Sequence, residues 1–295
     1  MNITLSPKIQ SHWINSNNYY SMQSFTKFVK YFFDDLNINI NNSTDNESNG
    51  IIYDIQDVYD IPNKKLNIML CVENCNFWKH YDHYNKYDNY NNNKIKLYFY
   101  NHIDKIVINE NYLAIPVIYL QMNYFKKYYN IIKPKVNTLF ENKKFCLIAT
   151  TLNNDIKNKI YKMLSLIDKC DFIKDYSDLI KNKSCYHDTE LLNLFNSYKF
   201  VFVCENSVCD GYITEKIFNC YFARTLPIYS GSSKIEYFFN KNSFINIKND
   251  SDINNYVELI KNINYDSYIN SDILNDFDDE NYKEVVNNYI SSINS

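Results

Sequence analysis

Residues 145 to 230 alternate between short apolar runs and amphipathic segments, and that alternation restricts the possible folds more than any other feature of the chain. "FCLIAT" (145–150) reads as a strand, and "NDIKNKIYKMLSLI" (154–167) as a helix with Ile156, Ile160, Met163, Leu164 and Ile167 on one side. "ELLNLFNSY" (190–198) is a short helix, "KFVFVC" (199–204) a strand, "TEKIFNCYFA" (214–223) a helix and "TLPIYS" (225–230) a strand. Strand–helix–strand repetition with short links predicts parallel βαβ units.

The first half is less regular. "SMQSFTKFVKYFFDDL" (21–36) predicts a helix, with Phe25, Phe28, Val29, Phe32 and Phe33 at helical spacing. "NINNSTDNESNG" (39–50) reads as a polar loop ending at Gly50, and "KLNIMLCVEN" (65–74) as a buried strand. "FWKHYDHYNKYDNYNNNK" (77–94) is a low-complexity surface excursion. "IKLYFYN" (95–101), "KIVIN" (105–109) and "LAIPVIYL" (113–120) are strand-like, and "YFKKYYNIIKPKVNTLFENKK" (124–144) reads as a connection between domains. The expected architecture is α/β. It comprises an N-terminal domain over 1–140 and a second over 141–295 that ends in a helix.

Composition narrows the function classes. Asn, Lys, Ile, Tyr and Phe are abundant while Gly, Ala, Pro and Arg are scarce, the mark of an AT-rich genome rather than of disorder. Hydrophobic residues at 45% and aromatics at 17% supply a large core. The net charge of −3 gives no basic footprint for nucleic acid. No apolar run is long enough to span a membrane, and "MNITLSPKIQSHW" is not a signal peptide. A cytoplasmic setting with reduced thiols is therefore expected for the eight cysteines, the host cytoplasm if the source is viral. Cys71, Cys75, His80 and His83 include zinc-ligand types, but Cys71 belongs to an apolar run with Ile68, Met69 and Leu70, and no metal site is assigned.

The chain has three glycines, and two of them, Gly211 and Gly231, lie in "ENSVCDGYITEKIFNCYFARTLPIYSG" (205–231), together with Arg224, the single arginine. The loop 205–213 leaves the carboxyl end of a parallel strand, the edge at which open α/β sheets bind ligands. Thr214 suits an N-cap, which puts Glu215 and Lys216 in the first helical turn. A lysine there opposes the helix dipole, and an anionic ligand held by Lys216 and the helix terminus would reconcile the two. Gly211 fits a tight turn or a close backbone approach. Arg224 is expected to fix the end of the helix.

"YKFVFVCENSVCDGYITEKIFNCYFARTLPIYSGSS" with "FFNKNSFINI" resembles the signature of the α1,3-fucosyltransferase family over about 50 residues. The resemblance implies a GT-B-like fold of two Rossmann-like domains facing a central cleft. It also implies an inverting transfer of L-fucose from GDP-fucose to a glycan hydroxyl. The C-terminal domain would hold the donor and the N-terminal domain the acceptor. At matched positions, Lys216 would face the phosphates, Tyr212 would hydrogen-bond them, Glu215 would contact the donor sugar region and Asn206 would shape the nucleotide site. Glu205, Ser207, Gly211 and Thr214 would support the motif.

Upstream, "IATTLNNDIK" (148–157) resembles a family segment in which an arginine binds the donor phosphates; the matched residue here is Lys157, a point charge without the bidentate fork. "NIMLCVENCNFW" (67–78) resembles the family's "GEN" segment, with Glu73, Asn74 and Phe77 matched and Val72 in place of the glycine. Glu73 would then be the base that takes the acceptor proton. His102, in "YFYNHID", is the reserve candidate. Charge on the leaving diphosphate can be met by Lys216, Lys157, Tyr212 and the helix terminus, so no cofactor is required, although a divalent metal would be compatible. Two alternatives stay open: another nucleotide-sugar donor, and an inactive carbohydrate-binding module.

Overall fold

The computed structural model describes residues 2–5, 39–41, 50–54, 66–71, 95–100, 103–108, 112–150, 155–176, 189–206, 208–248, 253–276 and 279–294. The chain divides into two compact units. One comprises Met1–Tyr124, Asp210–Tyr212 and Asp278–Ser295, the other Phe125–Cys209 and Ile213–Phe277. The division differs from the expected border at 140/141. It falls between Tyr124 and Phe125, and the C-terminal helix groups with the first unit rather than the second.

The first unit is built on β1 (Asn2–Leu5), β2 (Asn39–Asn41), β3 (Gly50–Asp54), β4 (Leu66–Cys71), β5 (Ile95–Tyr100), β6 (Val107–Ile108) and β7 (Leu113–Pro116). The sheet order is β2-β1-β3-β4-β5-β7-β6. Every described pairing is parallel except that of β6 with β7. β2 occupies residues read from sequence as polar loop, and Gly50 opens β3 rather than closing that loop. The run 113–120 is not one strand: β7 ends at Pro116 and α1 (Val117–Tyr128) begins at once. Proline lacks the N–H that would continue a ladder, and its fixed φ is compatible with a helix start. The C-terminal helix, residues 279–294, sets Tyr282 against Tyr119 of α1, ring centres 5.8 Å apart. The expected helix over 21–36 lies outside the described residues.

The second unit holds β8 (Lys144–Ile148), α2 (Asp155–Leu164), β9 (Cys170–Phe172), α3 (Thr189–Asn196), β10 (Tyr198–Cys204), α4 (Glu215–Phe222), β11 (Leu226–Ser230), α5 (Ile235–Phe238), β12 (Ile245–Asn246), α6 (Ile253–Lys261) and α7 (Tyr265–Ile269). Its sheet runs β12-β11-β10-β8-β9 and is parallel throughout. β10 is buried along nearly its whole length, as a central strand covered on both faces must be. Phe200, Phe202 and Cys204 point to a core shared with Ile160, Met163 and Leu164 of α2 and with Val257 and Ile260 of α6. α4 buries Ile217, Phe218, Cys220, Tyr221 and Phe222.

The strand order fixes where a ligand can sit. β8 and β10 are paired neighbours, with Phe202 opposite Ile148, while the chain leaves β8 toward β9 on one side and β10 toward β11 on the other. This is a topological switch point, and the loops at the carboxyl ends of such strands diverge to leave a crevice. The loop after β8 leads to Lys157, and the loop after β10 starts at Glu205. Among the described residues, no helix is long and apolar enough to cross a membrane.

Candidate functional site

The Glu205 backbone N–H donates to the Ser230 carbonyl at 3.0 Å, which carries the β10–β11 ladder one residue beyond β10. The Glu205 side chain is fully buried and turns to the start of α4. Its Oε1 accepts from the Thr214 N–H at 2.8 Å. Its Oε2 accepts from the Thr214 hydroxyl at 2.8 Å and from Lys216 Nζ at 3.2 Å. Lys216 Nζ also donates to Thr214 Oγ1 at 2.8 Å and lies 3.7 Å from Glu215.

Thr214 occupies the N-cap, as its residue type suggests, but its side chain makes no capping bond. The hydroxyl goes to Glu205 instead. The lysine in the first turn therefore has a counter-ion supplied by the protein, a buried carboxylate that also suits the positive end of the helix. Burial pushes the Glu205 carboxyl above the usual range, against the opposing pull of Lys216. Lys216 keeps 23% of its side chain exposed, whereas Glu205 keeps none.

Both glycines of this stretch are explained by space rather than by φ, since no glycine has a positive φ. A Cβ on Gly211 would fall on the main-chain carbonyl of Ile103. A Cβ on Gly231 would sit 2.6 Å from Glu205 Cγ and 2.7 Å from Tyr229 Cζ. Gly231 is thus the clearance that lets Glu205 reach α4.

Arg224 takes a different role. Its φ is 55°, a left-handed conformation in which glycine is the usual residue. Its N–H donates to Tyr221 O at 3.0 Å, and the Thr225 N–H donates to Cys220 O at 3.1 Å, the paired bonds of a Schellman helix end. The guanidinium donates to Tyr221 O at 3.0 Å and to Tyr129 O at 2.7 Å, and stacks 3.6 Å from the centre of the Tyr129 ring. It fixes the end of α4, as expected, and those bonds offset the strain of its backbone.

The remaining candidates divide as follows. Lys157 stands in the first turn of α2, its Nζ 5.6 Å from the centre of the Phe172 ring. Lys174 brings its Nζ to 5.3 Å from the same ring. The three-residue strand β9 that places Phe172 carries no readable periodicity, and Lys174 lies in the single helical turn that follows it. Asn206 is exposed and Tyr212 is buried. Ser207, Glu73 and His102 lie outside the described residues, as do Cys75, His80 and His83. Among the described residues, no group of three or more His, Cys, Asp or Glu side chains could hold a metal ion.

Residues 141–271 match the family model "Glycosyltransferase family 10 (fucosyltransferase) C-term". The chain is 33% identical over 118 residues to an alpha-(1,3)-fucosyltransferase of Helicobacter pylori, covering 40% of this chain and 23% of that protein. It is 32% identical over 186 residues to a putative fucosyltransferase of Acanthamoeba polyphaga mimivirus, covering 58% of this chain and 27% of the other. The chain thus spans about a quarter of the length of these curated relatives. A crystal structure of an alpha1,3-fucosyltransferase with GDP-fucose superposes with a TM-score of 0.61 at 20% identity, over 99% of this chain and 90% of that one. The α/β, GT-B-like fold expected from sequence is therefore the fold of this protein.

Proposed function

We propose that this chain is a fucosyltransferase of glycosyltransferase family 10, transferring L-fucose from GDP-fucose to a hydroxyl of a glycan acceptor with inversion at the anomeric carbon. The carrying observation is a coincidence of position. The segment that matches the family model, 141–271, contains the β8/β10 switch point, and Glu205, Thr214, Lys216 and Lys157 all follow the carboxyl ends of those two strands. An ammonium at the rim of such a crevice, beside a helix N-terminus, can oppose the charge that develops on a departing diphosphate. Lys216 and Lys157 supply that charge, Glu215 contacts the sugar side and Asn206 borders the nucleotide. Glu73 serves as the acceptor base from the first unit. This chemistry asks for no metal.

A screen of donors by released nucleotide tests the reading. With a glycan acceptor present, GDP-fucose is expected to yield GDP, whereas UDP-sugars and dTDP-sugars yield no nucleotide. Turnover of a UDP-sugar alone would instead support the second reading, a different donor, which the lysine at position 157 favours because it lacks the fork of an arginine.

A further inference from the structure

Glu205 is the most enclosed charged group at this site. Its carboxylate has one ionic partner, Lys216, and two neutral donors, both from Thr214. Glu215 of α4 lies 3.7 Å from the same ammonium, and the Tyr229 ring of β11 flanks the Glu205 stem across Gly231. The backbone at Gly231 lies close beside the stem, where a Cβ would meet Glu205 Cγ.

We propose that Glu205 is a positioning residue, the resting counter-ion of Lys216, and that it takes up a proton from solvent when an anionic diphosphate engages that lysine. The inference rests on the donor reading above. Once Lys216 turns to the diphosphate, Oε2 keeps only the Thr214 hydroxyl, and a buried carboxylate without an ionic partner is costly. Protonation removes the charge: one proton leaves the bulk, one O–H bond forms on Oε2, and no other bond changes. The new carboxyl O–H donates to Thr214 Oγ1, the acceptor that Lys216 has vacated, and the Thr214 hydroxyl keeps its hydrogen and rotates to donate elsewhere. Burial already raises the affinity of this carboxyl for a proton, and Lys216 is the principal influence in the other direction. Adding anionic charge beside it can only raise that affinity further, so donor binding strengthens as pH falls.

The test is titration calorimetry of the full chain with GDP-fucose and no acceptor. Its diphosphate is esterified on both sides and has no group that titrates near neutrality. Runs in two buffers of different ionisation heat count the protons exchanged. The wild type is expected to take up close to one proton per donor at pH values above the ordinary carboxylate range, with affinity rising by up to about tenfold per pH unit as pH falls. Glu205→Gln, which keeps the side-chain size and cannot ionise, is expected to bind with no proton uptake and a flat pH profile. No proton exchange by the wild type at any pH overturns the inference, whether or not the variant folds. Uptake that persists in Glu205→Gln also overturns it and assigns the proton to another group. Failure of GDP-fucose to bind at all overturns the donor reading, and this inference with it.

Discussion

Replacing Glu73 by glutamine is expected to lower transfer to acceptor by about 10²–10⁴-fold, the usual contribution of a positioned general base. Glu73 follows two residues after the end of β4, which lies between β3 and β5 in the first unit. The carboxyl ends of parallel strands are where α/β sheets present reactive side chains. Glutamine keeps the volume and part of the hydrogen bonding but cannot accept the acceptor proton. The residues proposed to hold GDP, among them Lys216 and Lys157, belong to the other unit, so nucleotide affinity should stay nearly intact. Single-turnover transfer and GDP titration, measured on the same preparation, separate the two effects. Near-normal turnover would remove Glu73 from the mechanism. His102, two residues beyond β5 in the sequence, would be tested next.

Gly211→Ala is expected to cost about 3 kcal/mol of stability, the upper part of the overpacking range. The added Cβ would land on main-chain atoms of Ile103, its O, C and N, rather than on the tip of a flexible side chain. Backbone cannot rotate out of the way, so the two segments must separate. At roughly 2–4 °C per kcal/mol, the melting temperature should fall by about 6–12 °C. Thermal unfolding followed by circular dichroism checks this. A change within about 1 °C would show that the approach of residues 103 and 211 is not a feature of the folded protein.

The parts of this fold that sequence could reveal are those with a period. α2 announced itself through Ile160, Met163 and Leu164, and β10 and β11 through unbroken apolar runs between helices. β1 and β2 are only four and three residues long, too short to show a period, and two of the three residues of β2 are Asn, which hid it in a polar stretch. Residues 113–120 misled because an apolar run without alternation suits a buried strand and a buried helix equally, and Pro116 marks the change.

At the site, the order of residues 205–216 indicated a ligand-facing loop, but not that Glu205 reaches across it to Thr214 and Lys216. Eleven positions separate the ion pair, and only the turn between β10 and α4 brings its members together. The same holds for Gly231, whose reason lies in the Glu205 stem, and for Arg224, whose left-handed backbone has no signature in an arginine codon.

The central claim is that the second unit holds a guanine nucleotide, and thermal unfolding with GDP, UDP and dTDP tests it most directly. At a concentration 100 times its Kd, GDP should add about 2.7 kcal/mol to the unfolding free energy, which raises the transition of that unit by roughly 5–11 °C. UDP and dTDP should leave it unchanged. A shift produced by UDP or dTDP and not by GDP would contradict the account.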